Sequence, residues 1–522
     1  RKLLLLLQQF HRMVLHSWRF FMKASQKPAM FLPWVLLLVS STVAQGVNPC
    51  LDSDSIRCIP GATTIDMGYC GTITEVYLDD NEFSNIPEGL FKGLTKVTLM
   101  RLNHLPNLIE VPEGLFNGLT SLVKISIRDN MLETLPEGLF EGLNLLIEIR
   151  VDHNPIKFLP SGLFQGLSGL QKLRLRDLNL YEVHEDLFSG LSALRELYLY
   201  ENQNPEMSLP PTLFRDTGSM EILWLHTNGI SALDPSVFSG LSNLKFLHLD
   251  LNPIADLPDT VFSGLSSLET LRLRGFALSS IPAGVFNGLK ALKQLYLYDN
   301  QLGIILPPAL FRDNKKLRIL WLKQIAAGEL DRDLFSGLSK LQFLRVTFNK
   351  LTALEDGIFD DLRQLKYLYL GYNRLETIDE TIFSALGQLQ ILGLQNNDFT
   401  SLPPGVFSGL TSLVEMDLTG NPDLLCVPPS PSGTIYMDAS ASQDESCAGG
   451  QTCSNGLEGI DGKDGMICCP LGCGQCGGSG CSTSGAANGL GKDSCCNGGV
   501  MARDEYCDET NGAPCIIGSR PG

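Results

Sequence analysis

Residues 244–254 read Leu-Lys-Phe-Leu-His-Leu-Asp-Leu-Asn-Pro-Ile, and Leu257, Pro258 and Phe262 follow. Leu247 and Leu249 alternate with Phe246, His248 and Asp250. That period of two sends the leucines of a short strand to one side and the other residues to the opposite side. The same pattern, L-x-x-L-x-L-x-x-N-x-L, recurs along the chain and gives fifteen strand motifs. A phenylalanine closes each interval, at Phe91, Phe116, Phe140, Phe164, Phe188, Phe214, Phe238, Phe262, Phe286, Phe311, Phe335, Phe359, Phe383 and Phe407, with a spacing of 24 residues stretched by one or two at three places.

One such strand cannot bury its own apolar side. Parallel stacking of neighbours at about 4.8 Å makes a continuous core and a sheet on the order of 70 Å along its stack. The phenylalanines fall on the connections that run back behind the sheet, where a stacked aromatic spine and short helical or irregular turns are expected.

These motifs are the signature of the leucine-rich-repeat family, which the chain resembles over roughly residues 72–426. The resemblance implies an α/β-type leucine-rich-repeat solenoid: a right-handed superhelical horseshoe with a parallel concave sheet of about 15 strands and a convex side of short turns. With its 24-residue units and Phe spine, the array resembles the ectodomains of Toll-like receptors and Slit-type guidance proteins, and secreted matrix proteoglycans. In the family, the asparagine of each unit forms a ladder, its amide meeting turn backbone groups that face the interior. Eleven of fifteen slots here hold it: Asn81, Asn130, Asn154, Asn202, Asn228, Asn252, Asn300, Asn349, Asn373, Asn397 and Asn421. Leu102, Leu178, Phe276 and Ile325 are read into the other four, where water or a local backbone shift is expected to serve.

Cysteines are segregated to the two ends. Cys50, Cys58 and Cys70 precede the first repeat, in a spacing unlike the four-cysteine cap of the animal proteins named above. Cys426 closes the last repeat, and Cys447, Cys453, Cys468, Cys469, Cys473, Cys476, Cys481, Cys495, Cys496, Cys507 and Cys515 fill a tail poor in Leu, Val and Phe. Disulfides are the expected framework of both ends. The zinc-knuckle spacing Cys473-x-x-Cys476 is the rival reading, disfavoured because export oxidises the thiolates that zinc requires. Asp461-Gly-Lys-Asp464-Gly is read as a turn rather than a calcium loop. Fifteen cysteines is an odd number, which leaves room for a disulfide-linked dimer.

Met22–Gly46 carries Lys23 and Lys27, an apolar run from Phe31 to Val39 and small residues around Ala44, the pattern of a secretory signal peptide. That run is too short to span a bilayer, and no transmembrane segment is expected elsewhere. The organisation expected is therefore a leader over 1–44 with the signal peptide at about 22–44, a cap over 45–71, the solenoid over 72–426, a linker over 427–446 and a disulfide-stabilised module over 447–522. The net charge is −17, and the first 44 residues hold six basic and no acidic side chains, which leaves the rest at −23. Such a body repels phosphate backbones, so nucleic acid is not an expected partner. No N-x-Ser/Thr sequon occurs, and N-linked sugar is not expected to mask a face.

No nucleophile elbow, phosphate-cradling loop, H-E-x-x-H motif or carboxylate pair is present, so neither catalysis nor a cofactor is expected. The informative residues alternate with the strand leucines, because stacking sets them in columns. The central column is read as Tyr77, Thr98, Ser126, Arg150, Arg174, Tyr198, Trp224, His248, Arg272, Tyr296, Trp321, Arg345, Tyr369, Gly393 and Asp417. The next adds Arg128, Arg176, Tyr200, His226, Arg274, Tyr298 and Lys323, and the preceding one Ile222, Phe246, Ile319, Phe343 and Tyr367. The two inner columns hold eight Arg or Lys against four Asp on an acidic chain. Tyr, Trp and Arg are the residues enriched in binding hot spots, so the concave centre is the candidate site for an extracellular protein, peptide or anionic glycan. Arg stacked on Tyr or Trp is also a stable surface arrangement in its own right. A structural role in a matrix or wall, cross-linked through the tail, is the alternative.

Overall fold

A computed structural model describes residues 73–438, apart from 83, 203–206, 301–305, 326, 425–426, 429 and 431, together with the strand residues 55–57, 476–477 and 480–481. The signal peptide and the disulfide framework read from the sequence lie outside these residues. So does the proposed rival zinc site, of which only the backbone at Cys476 and Cys481 is described, in a short antiparallel pair.

The described residues of the repeat region form one parallel sheet of seventeen three-residue strands, each hydrogen-bonded to the next in chain order. In each strand the middle residue points inward: Leu247 lies between Phe246 and His248 and pairs with Leu223 on one side and Leu271 on the other. The backbone ladder runs on past the strand, with Leu249 N donating to Arg272 O at 3.1 Å and Leu251 N to Arg274 O at 2.7 Å. Leu247, Leu249, Ile254, Leu257, Phe262, Leu265 and Leu268 are all buried, and equivalent residues of the other units join them in one continuous core, with Thr217 and Asn314 in the slot of Leu265 in two units. Two rungs lie beyond the fifteen read from the sequence. Ser55–Arg57 pairs with Glu75–Tyr77, and Thr434–Tyr436, in the stretch read as a linker, pairs with Glu415–Asp417.

Behind the sheet the chain returns through tight turns, with one 3-10 helix at Glu113–Phe116 among the described residues. Val261 N donates to Pro258 O and Leu265 N to Phe262 O, so the turn satisfies its own backbone. Gly264, at φ +91°, supplies the left-handed residue that brings Leu265 back to the core. The phenylalanines form the expected spine. Neighbouring rings stack with centroids 5.9–6.5 Å apart in three runs, from Phe91 to Phe164, Phe188 to Phe311 and Phe335 to Phe407.

The eleven predicted asparagines are buried in the slots assigned to them. Asn252 shows the bonding: Nδ2 donates to Leu225 O at 2.9 Å and Leu249 O at 2.7 Å, while Oδ1 accepts from the N–H groups of Asn228 and Ile230, each at 3.1 Å. Two readings are corrected. In the second repeat Tyr77 pairs with Arg101, and Arg101 with Ser126, so Arg101 and not Thr98 belongs to the central column. The apolar slot there is Leu105 rather than Leu102, which is an inward strand-side residue. Val97-x-Leu99 and Met100-x-Leu102 both alternate, and a period of two alone does not choose between such registers. The N–H groups of Leu105, Leu178, Phe276 and Ile325 each donate to Oδ1 of the next rung's asparagine, at 2.8, 2.9, 2.8 and 3.0 Å.

Candidate functional site

Alternation along each strand and stacking between strands place all the predicted site residues on the outward face of the sheet. Arg150, Arg174, Tyr198, Trp224, His248, Arg272, Tyr296, Trp321, Arg345 and Tyr369 succeed one another in the central register. Two positions further along each unit, Arg176, Tyr200, His226, Arg274, Tyr298 and Lys323 make the second column, and Phe246 belongs to the first. The sequence reading missed Arg101, through the register error above.

Much of the positive charge on this face is already paired. Arg101 meets Asp79 at 2.7 Å, Arg150 meets Glu148 at 2.7 Å, Arg176 meets Glu201 at 2.8 Å, Arg272 meets Asp250 at 2.9 Å and Arg274 meets Asp299 at 2.9 Å. Glu201 and Asp299 are the left-handed residues that follow the second column, at φ +59° and +53°. Acids at that edge were not part of the sequence reading, although the positions recur every repeat. Between the strands Lys172–Arg174 and Tyr367–Tyr369, the three outward columns hold seven basic residues, Lys172, Arg174, Arg176, Arg272, Arg274, Lys323 and Arg345, against Glu196 and Asp250. With Asp177, Glu201 and Asp299 at the edge the segment stays positive, on a chain of −17.

Two aromatic clusters interrupt this surface. In the first, the Arg174 guanidinium lies 4.6 Å from the Tyr198 ring centroid and Arg176 lies 5.3 Å from that of Tyr200. Both tyrosines tilt against Trp224 at 5.4 Å, and Trp224 meets Phe246 at 5.8 Å. Burial, followed by the charge of Glu196, pushes the Tyr198 hydroxyl well above its ordinary value, and that hydroxyl donates to Glu196 at 2.9 Å. In the second cluster Arg272 and Arg274 lie 5.5 and 5.3 Å from the rings of Tyr296 and Tyr298. These tyrosines meet Trp321 at 5.3 Å, and Trp321 meets Phe343 at 5.9 Å. Beyond Trp321, Lys323 lies 5.3 Å from the Phe348 ring, which stacks on Tyr372 at 4.2 Å. Phe348 and Tyr372 are exposed and hold left-handed backbone at φ +59° and +56°, a strained conformation for aromatic residues.

Between the clusters lies a buried polar group. The rings of His226 and His248 are 4.3 Å apart, and His248 Nε2 is 2.9 Å from Asp250 Oδ2. Burial, with the neighbouring His248, lowers His226 to about 3. Burial acts to raise Asp250, but the His248 hydrogen bond and the charges of His248 and Arg272 prevail and hold it at about 2. His226 is therefore a neutral ring in a sandwich of aromatics at neutral pH. Among the described residues no group of three or more His, Cys, Asp or Glu is arranged to hold a metal. Among the same residues, Arg174 Nε and Trp321 Nε1 are buried atoms without a hydrogen-bond acceptor.

The leucine rich repeat family matches residues 105–156, 145–203, 247–302, 344–399 and 368–422. Solved structures with the same fold include TLR13 in a TLR13–ssRNA13 complex, 27% identical with a TM-score of 0.54 over 69% of this chain and 56% of that one. Toll of the Drosophila Toll–Spatzle complex is 20% identical, with a TM-score of 0.63 over 72% of this chain and 52% of that one. A leucine-rich-repeat protein of Leptospira interrogans is 24% identical, with a TM-score of 0.51 over 76% of this chain and 94% of that one. The chain thus spans about half the length of the Toll-type chains it matches. No curated relative matches it. A seventeen-strand parallel ladder, an interior file of asparagines and a phenylalanine spine agree with these matches, and the chain is a leucine-rich-repeat protein.

Proposed function

We propose that this chain is a secreted, non-enzymatic recognition protein whose concave sheet face binds an extracellular protein, peptide or anionic glycan. The observation that carries the reading is the pair of Arg–Tyr–Trp–Phe clusters on that face. Rigid three-residue strands present them, and they leave Trp224 and Trp321 half-buried rather than sealed. Large aromatic surface on a fixed scaffold, with cations beside it, binds without having to be ordered first. The strained, exposed Phe348 and Tyr372 next to Lys323 extend the same surface.

Secretion is supported by the leader-like segment around residues 22–44 and by the segregation of cysteines to the ends. Likeness to Toll, described in complex with Spatzle, and to TLR13, described with ssRNA13, is compatible with a ligand-binding role. Nucleic acid is not the proposed partner here, because the chain carries −17 and a phosphate backbone along its length would be repelled by it.

The test is affinity capture from extracellular extract, with quantitative mass spectrometry, on the wild-type chain and the double variant Trp224→Ala/Trp321→Ala. Circular dichroism confirms that both are folded. The double variant is expected to lose at least tenfold of the partner signal. Equal capture by the two proteins would remove the concave centre as the site.

A further inference from the structure

The two clusters are related by more than composition. Arg-Glu-Leu-Tyr-Leu-Tyr at 195–200 returns as Lys-Gln-Leu-Tyr-Leu-Tyr at 293–298, and Leu-Pro-Pro-Thr-Leu-Phe-Arg-Asp at 209–216 returns as Leu-Pro-Pro-Ala-Leu-Phe-Arg-Asp at 306–313. Ile222-Leu-Trp224 returns as Ile319-Leu-Trp321. The offset is 97 or 98 residues, four repeats, so this is a period above the single repeat. The geometry repeats with it. Tyr–Trp centroids are 5.4 Å apart in one copy and 5.3 Å in the other, and Trp–Phe contacts are 5.8 and 5.9 Å with interplanar angles of 31° and 29°. Arg176 reaches Glu201 at 2.8 Å as Arg274 reaches Asp299 at 2.9 Å. Of the chain's four tryptophans, Trp18, Trp34, Trp224 and Trp321, the two in the repeats are at equivalent positions.

We propose that the concave face carries two copies of one subsite, which together hold a single extended acidic peptide through two equivalent units, each an apolar side chain beside a carboxylate. This deepens the recognition reading above and rests on it. Four rungs at about 4.8 Å set the copies about 19 Å apart, which an extended peptide at about 3.3 Å per residue covers in about six residues. The occupant's apolar groups match the half-buried Ile222 and Phe246 in one copy and Ile319 in the other, where Phe343 is itself buried against Trp321. Its acidity matches a segment that stays positive on a chain of −17. A polyhydroxylated glycan would instead need many open donors and acceptors, and here carboxylates such as Glu201, Asp250 and Asp299 are engaged with arginines.

The probe is a synthetic peptide carrying one Phe-Glu unit in a Gly-Ser background, and tandem peptides with two such units spaced three, six and nine residues apart. The readout is fluorine NMR of the full chain labelled with 5-fluorotryptophan, in which Trp224→Phe and Trp321→Phe assign the signals of those two among the four tryptophans. The single-unit peptide is expected to shift both signals, the Trp321 signal at the lower concentration, because the Arg345 guanidinium lies 5.3 Å from the Trp321 ring where Trp224 meets His248. The six-spaced tandem should saturate both at one equivalent, at least tenfold more tightly than the single unit, through the effective concentration of its second unit. The other spacings should gain less, and Trp224→Phe or Trp321→Phe should leave one responding signal.

A single responding tryptophan, or equal affinity for all tandem spacings, overturns the duplicated subsite. No response to any peptide overturns the acidic peptide as occupant, as does a response of both signals to an acidic polysaccharide alone. If the double alanine variant loses its captured partner while these peptides show no paired behaviour, recognition stands and the duplication reading falls.

Discussion

At the scale of the residue, the ladder asparagine of the core and the half-buried histidine of the outward face do opposite work with polar atoms. Asn252 is fully buried and meets four backbone groups, one on its own unit and three on the preceding one. Alanine there strands buried donors and acceptors, each costing about 1–3 kcal/mol. Asn252→Ala should therefore lower stability by about 3–5 kcal/mol, measured from the urea midpoint, and a loss below about 1 kcal/mol would show that water replaces the amide. His226 is held neutral, with its folded value lowered to about 3 from an ordinary 6.5. The unfolded chain takes up a proton first, so the stability tied to this ring is complete above about pH 6.5 and falls as pH drops toward 3, by at most about 1.4 kcal/mol per pH unit. Asp250, lowered to about 2, adds stability above its unfolded value near 3.8 that is lost only as pH falls through 2. Between pH 6.5 and 4 the histidine thus dominates this cluster. His226→Phe should lose less melting temperature than wild type between pH 7 and pH 4.5, and parallel losses would mean that the ring is not kept neutral.

At the scale of the element, the repeat is legible because its two periods are enforced by different physics. The period of two marks which side of a strand is dry, and the period of 24 marks where the phenylalanine must return to stack on its neighbour. Phe262 lies between Phe238 at 6.3 Å and Phe286 at 6.5 Å and is fully buried. Phe262→Ala should cost about 3–5 kcal/mol, the usual penalty for emptying such a site. An unchanged denaturation midpoint would place the spine's energy elsewhere. What the pattern did not decide is register where two alternations overlap, as at Thr98 and Arg101, because both choices bury an apolar pair. The columns of the site were likewise readable from Leu alternation. Their pairing was not, because Glu201 and Asp299 reach the arginines through left-handed backbone after the strand, and a binary pattern carries no sign of that turn.

At the scale of the whole molecule, contacts run between neighbouring rungs, so stability is set by local units and their interfaces, and a block can be removed if the new interface repeats an old one. Joining Leu173 to Arg272 by deleting residues 174–271 excises four rungs of the fifteen read from the sequence and restores Leu-Arg-Leu-Arg at the junction. Asp152 then stands where Asp250 stood. It already accepts from Arg176 N at 3.2 Å, as Asp250 accepts from Arg274 N at 2.8 Å, so the carboxylate that anchors this part of the face is kept. The shortened chain should fold, unfold cooperatively and show an m-value lower by roughly a quarter, in proportion to the surface it no longer exposes. It should also keep Trp321 with its Tyr and Phe neighbours while losing Trp224, and so retain one subsite. Failure to fold would show that the contacts made by the first block are not interchangeable with those of the second, and that the 98-residue period is a likeness of sequence without equivalence of structure.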